Sequence, residues 1–273
     1  MVKSILHGVR LNNIVIVFCC CMVAIMKIGF SHYSELIFST IIVILLMAAS
    51  NLVNDIYDIK IDKVNRPNRP LVTSPELLNV FKTIAWVCIV LAFSFSFFIH
   101  FKAQLIIFFS IPILIFYSKW FKPTPFAGNL IVASYLSLVF IFIELSAKGS
   151  LSLMTVPAFF AFGISLIREM IKDVEDYKGD HQAGLKTLPI LLGIRKAIFS
   201  IIFIITCFVI ISLSIAVNAF YTYSTISLFL LVFMPLFYLI FFLIKNPTVE
   251  SCGEASTLLK KITILGLIII YTI

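Results

Sequence analysis

Charged residues are scarce in this sequence of 273 residues, since Asp, Glu, Lys and Arg together make up only 12% of it. A typical soluble domain contains about 25% charged residues and about 45–50% apolar ones. Here 61% of the residues are hydrophobic, and the mean hydropathy is +1.12. This shortage of charge excludes an ordinary globular domain in water, a disordered chain and a protein devoted to nucleic-acid binding.

Several short catalytic and metal-binding motifs are also missing. The sequence contains no P-loop, no glycine-rich dinucleotide-binding turn and no pair of cysteines with C-x-x-C spacing. These absences argue against a P-loop nucleotide hydrolase, a dinucleotide-dependent oxidoreductase and a thiolate-bound zinc site.

What the sequence has instead is a series of apolar runs. One membrane-spanning helix with its share of loop takes roughly 30 residues, so the chain has room for about nine spans. Nine runs are found, at residues 14–30, 36–53, 79–99, 103–118, 126–145, 152–168, 197–218, 224–244 and 259–273. The pattern predicts an all-α polytopic membrane protein. Glu144, near the end of the fifth run, is expected to extend its carboxylate to the membrane surface.

The distribution of Lys and Arg predicts which side of the membrane each loop faces. With nine spans the loops alternate between two sides, and 18 of the 21 basic residues fall on the side of the amino terminus. The three on the opposite side are Lys27, Lys102 and Lys148. Because cytoplasmic loops carry the excess of basic residues, we expect a multi-pass protein of the cell membrane with a cytoplasmic amino terminus.

The acidic residues are concentrated in two segments that resemble each other. Each segment continues directly from an apolar run on the predicted cytoplasmic side and contains the pattern D-x2-D-x3-D. The aspartates are Asp55, Asp58 and Asp62 in the first segment, and Asp173, Asp176 and Asp180 in the second. On a helix this spacing places three carboxylates on one face. The separation of 118 residues predicts an internal repeat of four helices, found twice, with one additional helix.

The residue types in these segments predict a metal and a phosphate-bearing ligand. Three carboxylates on one helix face repel each other unless a cation lies between them. Oxygen ligands without His or Cys favour Mg²⁺, which usually shares its coordination with phosphate oxygens. Basic residues lie beside both segments, with Arg66 and Arg69 after the first and Lys172 and Lys186 around the second. Arginine is suited to bidentate phosphate contact, so we expect a diphosphate site at the cytoplasmic membrane edge.

Three stretches of the chain resemble signatures of a known family. N-D-I-Y-D-I-K-I-D-K-V-N-R-P-N-R-P-L at 54–71 is similar to the first signature of the UbiA superfamily of intramembrane prenyltransferases. R-E-M-I-K-D-V-E-D-Y-K-G-D-H-Q-A-G-L-K-T-L-P at 168–189 is similar to the second. F-Y-S-K-W-F-K-P-T-P-F-A-G-N-L at 116–130 resembles the loop between the family's fourth and fifth helices.

Within the superfamily, both signatures look most like those of the ether-lipid branch. Where relatives often have I-P-S-G after the R-P pair, this chain has Leu71-Val72-Thr73-Ser74-Pro75. The departure leaves the residues implied in diphosphate binding intact.

The resemblance implies one prenyltransferase domain over residues 1–273, folded as a ring of about nine helices around a central cavity. Its first acidic motif lies at residues 54–70 and its second acidic motif at residues 168–189. Mg²⁺ is the implied cofactor, with ligands from Asn54, Asp58, Asp173, Asp176 and Asp180. The implied catalytic residues are Asp55, Asp62, Arg66, Arg69, Tyr117, Lys122 and Lys172. The residues implied in substrate contact are Arg66, Arg69, Lys119, Lys122, Arg168 and Lys186.

The implied reaction transfers a geranylgeranyl group from its diphosphate to geranylgeranylglyceryl phosphate. The expected partners are a prenyl diphosphate, a lipid-like acceptor and the lipid bilayer, without nucleic acid or an obligate protein partner. Two alternatives stay open, namely an aromatic acceptor of the quinone, homogentisate or chlorophyll type, and a cation transporter with repeated acidic sites. Transporter sites usually lie near the bilayer midplane, whereas these acids lie at predicted helix ends.

Overall fold

The structure, a computed structural model, describes residues 2–29 and 32–272. Over these residues the chain is almost entirely helical and contains no β-strand, which confirms the predicted all-α class. The α-helices are α1 Val2–Val9, α2 Leu11–Ile28, α3 Tyr33–Tyr57, α4 Ile59–Asn65, α5 Pro70–Thr73, α6 Leu78–Phe95, α7 Phe101–Phe116, α8 Ala127–Lys148, α9 Thr155–Glu175, α10 Tyr177–Gln182, α11 Leu188–Leu192, α12 Ile194–Ala219, α13 Thr222–Leu228, α14 Met234–Lys245 and α15 Val249–Thr272. Two 3₁₀ turns occupy Pro75–Leu77 and Ser96–Phe98, and two π-helical segments occupy Tyr117–Phe121 and Phe229–Phe233.

Each of the nine predicted apolar runs overlaps helix in the described part of the chain, while residues 30 and 273 of the first and last runs lie outside it. Seven helical stretches are long and apolar enough to cross a membrane. They are Leu11–Ile28, Tyr33–Tyr57, Pro75–Phe98, Phe101–Phe121, Ala127–Lys148, Ile194–Asn218 and Thr222–Lys245. The two remaining runs correspond to α9 and α15, whose sequences include more polar residues. The count of nine spans therefore stays a prediction.

The chain divides into two compact units. The first unit contains the chain up to Pro123 together with Leu138–Val156, and the second contains Thr124–Ser137 together with the chain from Pro157 onward. Helix α8 contributes its first part to the second unit and its last part to the first. The single domain expected over residues 1–273 stays a prediction.

In the first unit, α3 packs along α6. Ala48 and Ala49 of α3 form a buried cluster with Cys88 and Ile89 of α6. Small side chains let two helices in a membrane approach closely, and close packing supplies much of the stability there. This pairing provides a rigid support for the polar end of α3, where the first acidic motif begins.

A second apolar cluster fixes the end of the first acidic motif. Leu52 of α3 and Phe81 of α6, both fully buried, pack together with Leu71 of α5. Leu71 directly follows the N-R-P-N-R-P sequence. Burial of a leucine side chain contributes about 1.5–3 kcal/mol relative to exposure. The loop that carries Arg66 and Arg69 is therefore anchored beside the end of α3.

Glu144 is not exposed, as a side chain extended to the membrane surface would be. Its side chain is fully buried in the first unit. Its carboxylate accepts hydrogen bonds from the Ser152 hydroxyl at 2.7 Å and from the backbone amides of Ser152, Leu153 and Met154 at 2.9–3.1 Å. A buried carboxylate is tolerated where hydrogen bonds replace water, so Glu144 fastens the end of α8 to the loop that follows it.

In the second unit, α9 packs against α12 through a glycine. A Cβ atom at Gly163 would lie 2.1 Å from Cε2 of Phe208, so only glycine permits this separation of the two helices. Ile167 of α9 and Ile201 of α12, which are close in sequence to Gly163 and Phe208, are completely buried. The packing supports the polar end of α9, where the second acidic motif lies.

Candidate active site

The first acidic motif does not form one continuous helix. Asp58 lies between α3 and α4 with φ −87° and ψ 3°, outside the helical range. The hydrogen bonds continue through this bend, from the Asp58 amide to the Asn54 carbonyl at 2.9 Å and from the Asp62 amide to the Asp58 carbonyl at 2.8 Å. The three carboxylates of the first motif are therefore divided between α3 and α4, with Asp58 at the junction of the two helices.

The same bend occurs in the second acidic motif. Asp176 lies between α9 and α10 with φ −86° and ψ 4°. Its amide donates to the Lys172 carbonyl at 2.8 Å, and the Asp180 amide donates to the Asp176 carbonyl at 3.1 Å. Asp180, like Asp62 of the first motif, is 3% exposed. The two motifs thus share their backbone conformation as well as their spacing.

Asp55 of the first motif lies between two arginines. Its Oδ1 atom is 2.5 Å from a terminal nitrogen of Arg10 and 3.7 Å from a terminal nitrogen of Arg69. Its Oδ2 atom is buried and accepts no hydrogen bond from the described residues. Arg10 was not among the residues expected at the site, because it precedes the first apolar run and is 45 residues from Asp55 in sequence.

Asp58 is bound by an amide and an ammonium group. Its Oδ2 atom accepts a hydrogen bond from Nδ2 of Asn54 at 2.7 Å and another from Nζ of Lys122. Lys122 follows the π-helical segment that begins at Tyr117, and such segments frequently occur at functional sites. Lys119, within that segment, is exposed. The structure therefore brings Lys122 to the first acidic motif.

Asp62 faces the two arginines of the same motif. Its oxygens are 3.8 Å from a terminal nitrogen of Arg66 and 4.0 Å from Nε of Arg69. Burial raises the pKa of Asp62 to about 6; the charge of Asp58 adds to the increase, and Arg69 opposes it. Burial likewise lowers the pKa of Arg69, and the positive charge of Arg10 lowers it further. Carboxylates and guanidinium groups are thus crowded together at this end of α3.

In the second acidic motif, Asp173 is bound by a residue that spacing alone did not identify. Asn129, near the start of α8, donates from Nδ2 to Oδ2 of Asp173 at 2.9 Å. Burial raises the pKa of Asp173, and this hydrogen bond opposes the increase. The sequence feature that points to Asn129 is its position within residues 116–130, the stretch that resembles a loop of the family.

Glu169 binds both basic residues at the start of the second motif. Its carboxylate is 3.1 Å from a terminal nitrogen of Arg168 and 2.9 Å from Nζ of Lys172. The Nε atom of Arg168 is buried without a hydrogen-bond partner among the described residues. Lys186, which precedes α11, is exposed to solvent. Glu169 was another residue that the motif spacing did not single out.

Ion pairs and hydrogen bonds connect most of the residues expected in the first unit: Asn54, Asp55, Asp58, Asp62, Arg66, Arg69 and Lys122. In the second unit, the corresponding contacts involve Arg168, Lys172 and Asp173. The roles assigned to all of these side chains stay predictions.

The ligand atoms available in the two motifs are of the type that a hard divalent cation prefers. They are carboxylate and amide oxygens, and the buried Oδ2 of Asp55 has no hydrogen-bond partner among the described residues. Burial raises the pKa values of Asp62 and Asp173, and repulsion from neighbouring carboxylates adds to the increase. A cation would relieve that repulsion. Over the described residues, however, no three His, Cys, Asp or Glu side chains by themselves enclose a metal position. Mg²⁺ commonly takes only one or two carboxylates and completes its coordination with water and phosphate.

Known proteins similar to this chain match it over nearly its whole length. The digeranylgeranylglyceryl phosphate synthase of Saccharolobus solfataricus is 31% identical over 97% of this chain and 95% of its own length. A solved structure of digeranylgeranylglyceryl phosphate synthase in membranes is 26% identical, with a TM-score of 0.78 over 99% of this chain and 97% of that one. The structure of a UbiA homologue from Archaeoglobus fulgidus bound to GPP and Mg²⁺ is 18% identical, with a TM-score of 0.70 over 98% and 99% of the two chains.

The family model for UbiA prenyltransferases matches residues 15–258, which includes both acidic motifs and all seven stretches suited to span a membrane except the first four residues of α2. Family membership and the apolar helices together establish a multi-pass integral membrane protein. The chain belongs to the UbiA prenyltransferase family.

Proposed function

We propose that this protein transfers a geranylgeranyl group from geranylgeranyl diphosphate to geranylgeranylglyceryl phosphate in a Mg²⁺-dependent reaction of ether-lipid synthesis. The observation that carries the proposal is the match to a digeranylgeranylglyceryl phosphate synthase over 97% of this chain. The chemistry of the two acidic motifs agrees with it, since each combines carboxylates with basic groups.

In this proposal, the basic residues of the first unit bind the diphosphate. Arg66, Arg69 and Lys122 are already oriented by Asp55, Asp58 and Asp62. Their N–H groups stabilise the negative charge that develops on the leaving diphosphate as the allylic C–O bond breaks. Fixed donors are effective because they need no reorganisation during the reaction. Lys119 and Tyr117, in the π-helical segment, contact the same substrate.

Mg²⁺ would be held by Asn54 and Asp58 from the first motif, and by Asp173, Asp176 and Asp180 from the second. Its contribution is to neutralise charge on the diphosphate oxygens. The A. fulgidus homologue, whose fold this chain shares, is bound to GPP and Mg²⁺. Asn129 orients Asp173 through the hydrogen bond of 2.9 Å.

For the acceptor, we propose contacts from basic residues of the second acidic motif. Arg168 and Lys186 bind the phosphate monoester of the glyceryl lipid, while Glu169 orients Arg168 and Lys172. We place both motifs on the cytoplasmic side of the cell membrane, within one catalytic domain. Charged hydrogen bonds of this type contribute about 1.5–3 kcal/mol each.

The test is product analysis with purified protein in lipid nanodiscs. Geranylgeranyl diphosphate and Mg²⁺ are offered with geranylgeranylglyceryl phosphate, 4-hydroxybenzoate or homogentisate, and the products are identified by mass spectrometry. We expect a digeranylgeranylglyceryl phosphate product and loss of turnover with EDTA, restored by Mg²⁺. Transfer only to an aromatic acid would overturn the assigned acceptor, and no transfer to any acceptor would overturn the proposed reaction.

A further inference from the structure

Arg10 has an unusual backbone conformation for its residue type. It connects α1 to α2 with φ 60° and ψ 66°, in the left-handed region that side chains other than glycine rarely adopt. Such a conformation costs about 1–3 kcal/mol and persists only where surrounding contacts enforce it. Residues of this kind occur preferentially at binding and catalytic sites.

Contacts of the two residues that precede Arg10 hold this part of the backbone in place. Asn51 of α3 donates from Nδ2 to the carbonyl of Val9 at 2.9 Å. Gly8 lies so close to Phe81 that a Cβ atom would be 2.5 Å from the ring. These contacts fasten the end of α1 against α3 and α6. The side chain of Arg10 consequently reaches Asp55, one turn further along α3 than Asn51.

The arrangement around Asp55 differs from an isolated ion pair. Arginine and a carboxylate frequently pair through two parallel hydrogen bonds. Here Arg10 and Arg69 both approach Oδ1 of Asp55, while Oδ2 accepts no hydrogen bond from the described residues. Asp55 is 1% exposed, whereas the side chains of Arg10 and Arg69 are 22% and 16% exposed. The carboxylate therefore lies beneath two guanidinium groups that remain partly accessible.

The charges of this group do not balance. Three guanidinium groups, those of Arg10, Arg66 and Arg69, pair with two carboxylates, those of Asp55 and Asp62. Lys122 and Asp58 pair separately. Among these ion pairs of the described residues, positive charges outnumber negative charges by one, which favours the binding of an anion. Phosphate matches the planar N–H arrangement of arginine.

We propose that Arg10 binds a phosphate group of a substrate together with Arg69, with Asp55 holding both guanidinium groups in position. The proposal rests on the proposed prenyl transfer and extends the substrate site to the connection between α1 and α2, outside both acidic motifs. The phosphate comes from the prenyl diphosphate or from the phosphorylated acceptor. Asn51 and Gly8 act as positioning residues, because they fix the backbone from which Arg10 projects.

The experiment compares Arg10→Met and Arg10→Lys with wild type and with Lys3→Met. Lys3 is an exposed residue of α1, the helix that precedes Arg10, so its variant removes one positive charge from the same part of the chain without removing a partner of Asp55. Each protein, in nanodiscs with Mg²⁺, is assayed for kcat, for KM of both substrates and for binding of inorganic pyrophosphate by calorimetry. Melting temperatures show which variants are folded.

We expect Arg10→Met to raise one KM at least about tenfold, Arg10→Lys to restore part of the affinity, and Lys3→Met to match wild type. Weaker pyrophosphate binding together with a raised KM for the prenyl diphosphate would show that Arg10 binds the diphosphate of the prenyl donor. A raised KM for the acceptor alone, with unchanged pyrophosphate binding, assigns the acceptor phosphate.

Unchanged KM values and pyrophosphate binding in folded Arg10 variants would overturn the role of Arg10, even if kcat falls, and would leave prenyl transfer intact. If Arg10→Met does not fold, Arg10→Lys tests the proposal instead. Its ammonium can still pair with Asp55 but lacks the planar N–H groups with which a guanidinium binds phosphate. Wild-type affinities in Arg10→Lys would then overturn the proposal. An inactive wild type would contradict the proposed function instead, while pyrophosphate binding would still test Arg10.

Discussion

Asp58 and Asp176, which are 118 residues apart, have the same backbone conformation, with φ and ψ of −87° and 3° in one and −86° and 4° in the other. Each lies between a long apolar helix and a short polar one, and each accepts a backbone hydrogen bond from the aspartate four residues later. Equal spacing in sequence is weak support for a repeat by itself. Equal spacing together with the same backbone conformation indicates that the two acidic motifs occupy equivalent positions in an internal repeat.

This equivalence predicts that both motifs are needed for turnover. Asp58→Asn and Asp176→Asn should each lower kcat by about a hundredfold or more, because each removes one negative charge from a proposed Mg²⁺ site. The shape of the side chain is conserved, so the variants should remain folded. Steady-state assays with geranylgeranyl diphosphate provide the measurement.

The matched controls are Glu76→Gln in the first unit and Glu254→Gln in the second. Both glutamates are exposed and lie outside the acidic motifs. Their variants should retain wild-type kcat. Near-normal turnover in either aspartate variant would mean that its motif does not supply an essential ligand.

The features of the fold and the site that can be predicted from the sequence are those encoded within a single short segment. Apolar runs predict membrane helices reliably, because a backbone in lipid must satisfy its own hydrogen bonds. The repeated aspartates were equally visible. Other features depend on packing in three dimensions. Two of them join residues more than 40 positions apart in sequence, namely the ion pair of Arg10 with Asp55 and the hydrogen bond from Asn129 to Asp173. No sequence spacing records such contacts.

Glu144 illustrates the same limit and leads to a prediction about stability. A lone acid near the end of an apolar run is compatible with either exposure or burial, and here it binds four donors. Glu144→Ala would leave the buried amide of Met154 without an acceptor, at about 1–3 kcal/mol, and would also remove the acceptor of the part-buried amide of Leu153. The melting temperature in detergent should fall by about 5 °C or more, and Glu144→Gln should lie between this value and wild type.

Glu76→Ala serves as the control for stability, since its side chain is exposed. Its melting temperature should remain within about 1 °C of wild type, in line with the small effects of surface substitutions. A melting temperature of Glu144→Ala equal to that of the control would show that these hydrogen bonds do not stabilise the attachment of the loop to α8.

The asymmetry of Lys and Arg predicts the orientation, which cysteine labelling can test. In a background without the six native cysteines, Lys63→Cys and Gln182→Cys should react with a membrane-impermeant maleimide only from the cytoplasmic side. Ser150→Cys, in the loop after α8, should react only from outside. All three positions are exposed. Gly184 is a poorer choice than Gln182, because its φ of 73° would strain any other residue.

The reversed pattern, with positions 63 and 182 labelled from outside intact cells, would invert the orientation. Labelling of position 150 from the same side as the other two would contradict the predicted number of spans between them. Either result would leave the family and the chemistry of the acidic motifs unaffected.

Lys186 is an exposed residue of the second acidic motif, so its ammonium is accessible to the phosphate monoester of the acceptor. Lys186→Ala should raise the KM for geranylgeranylglyceryl phosphate by about tenfold or more, which corresponds to a charged hydrogen bond of roughly 1.5–3 kcal/mol. The KM for geranylgeranyl diphosphate should change less than twofold. Lys178→Ala, at another exposed lysine of this motif, provides the comparison and should leave both constants unchanged. If Lys186→Ala instead raises the KM of the diphosphate alone, Lys186 belongs to the donor site, and the acceptor phosphate must be bound by other residues, of which Arg168 is the first to test.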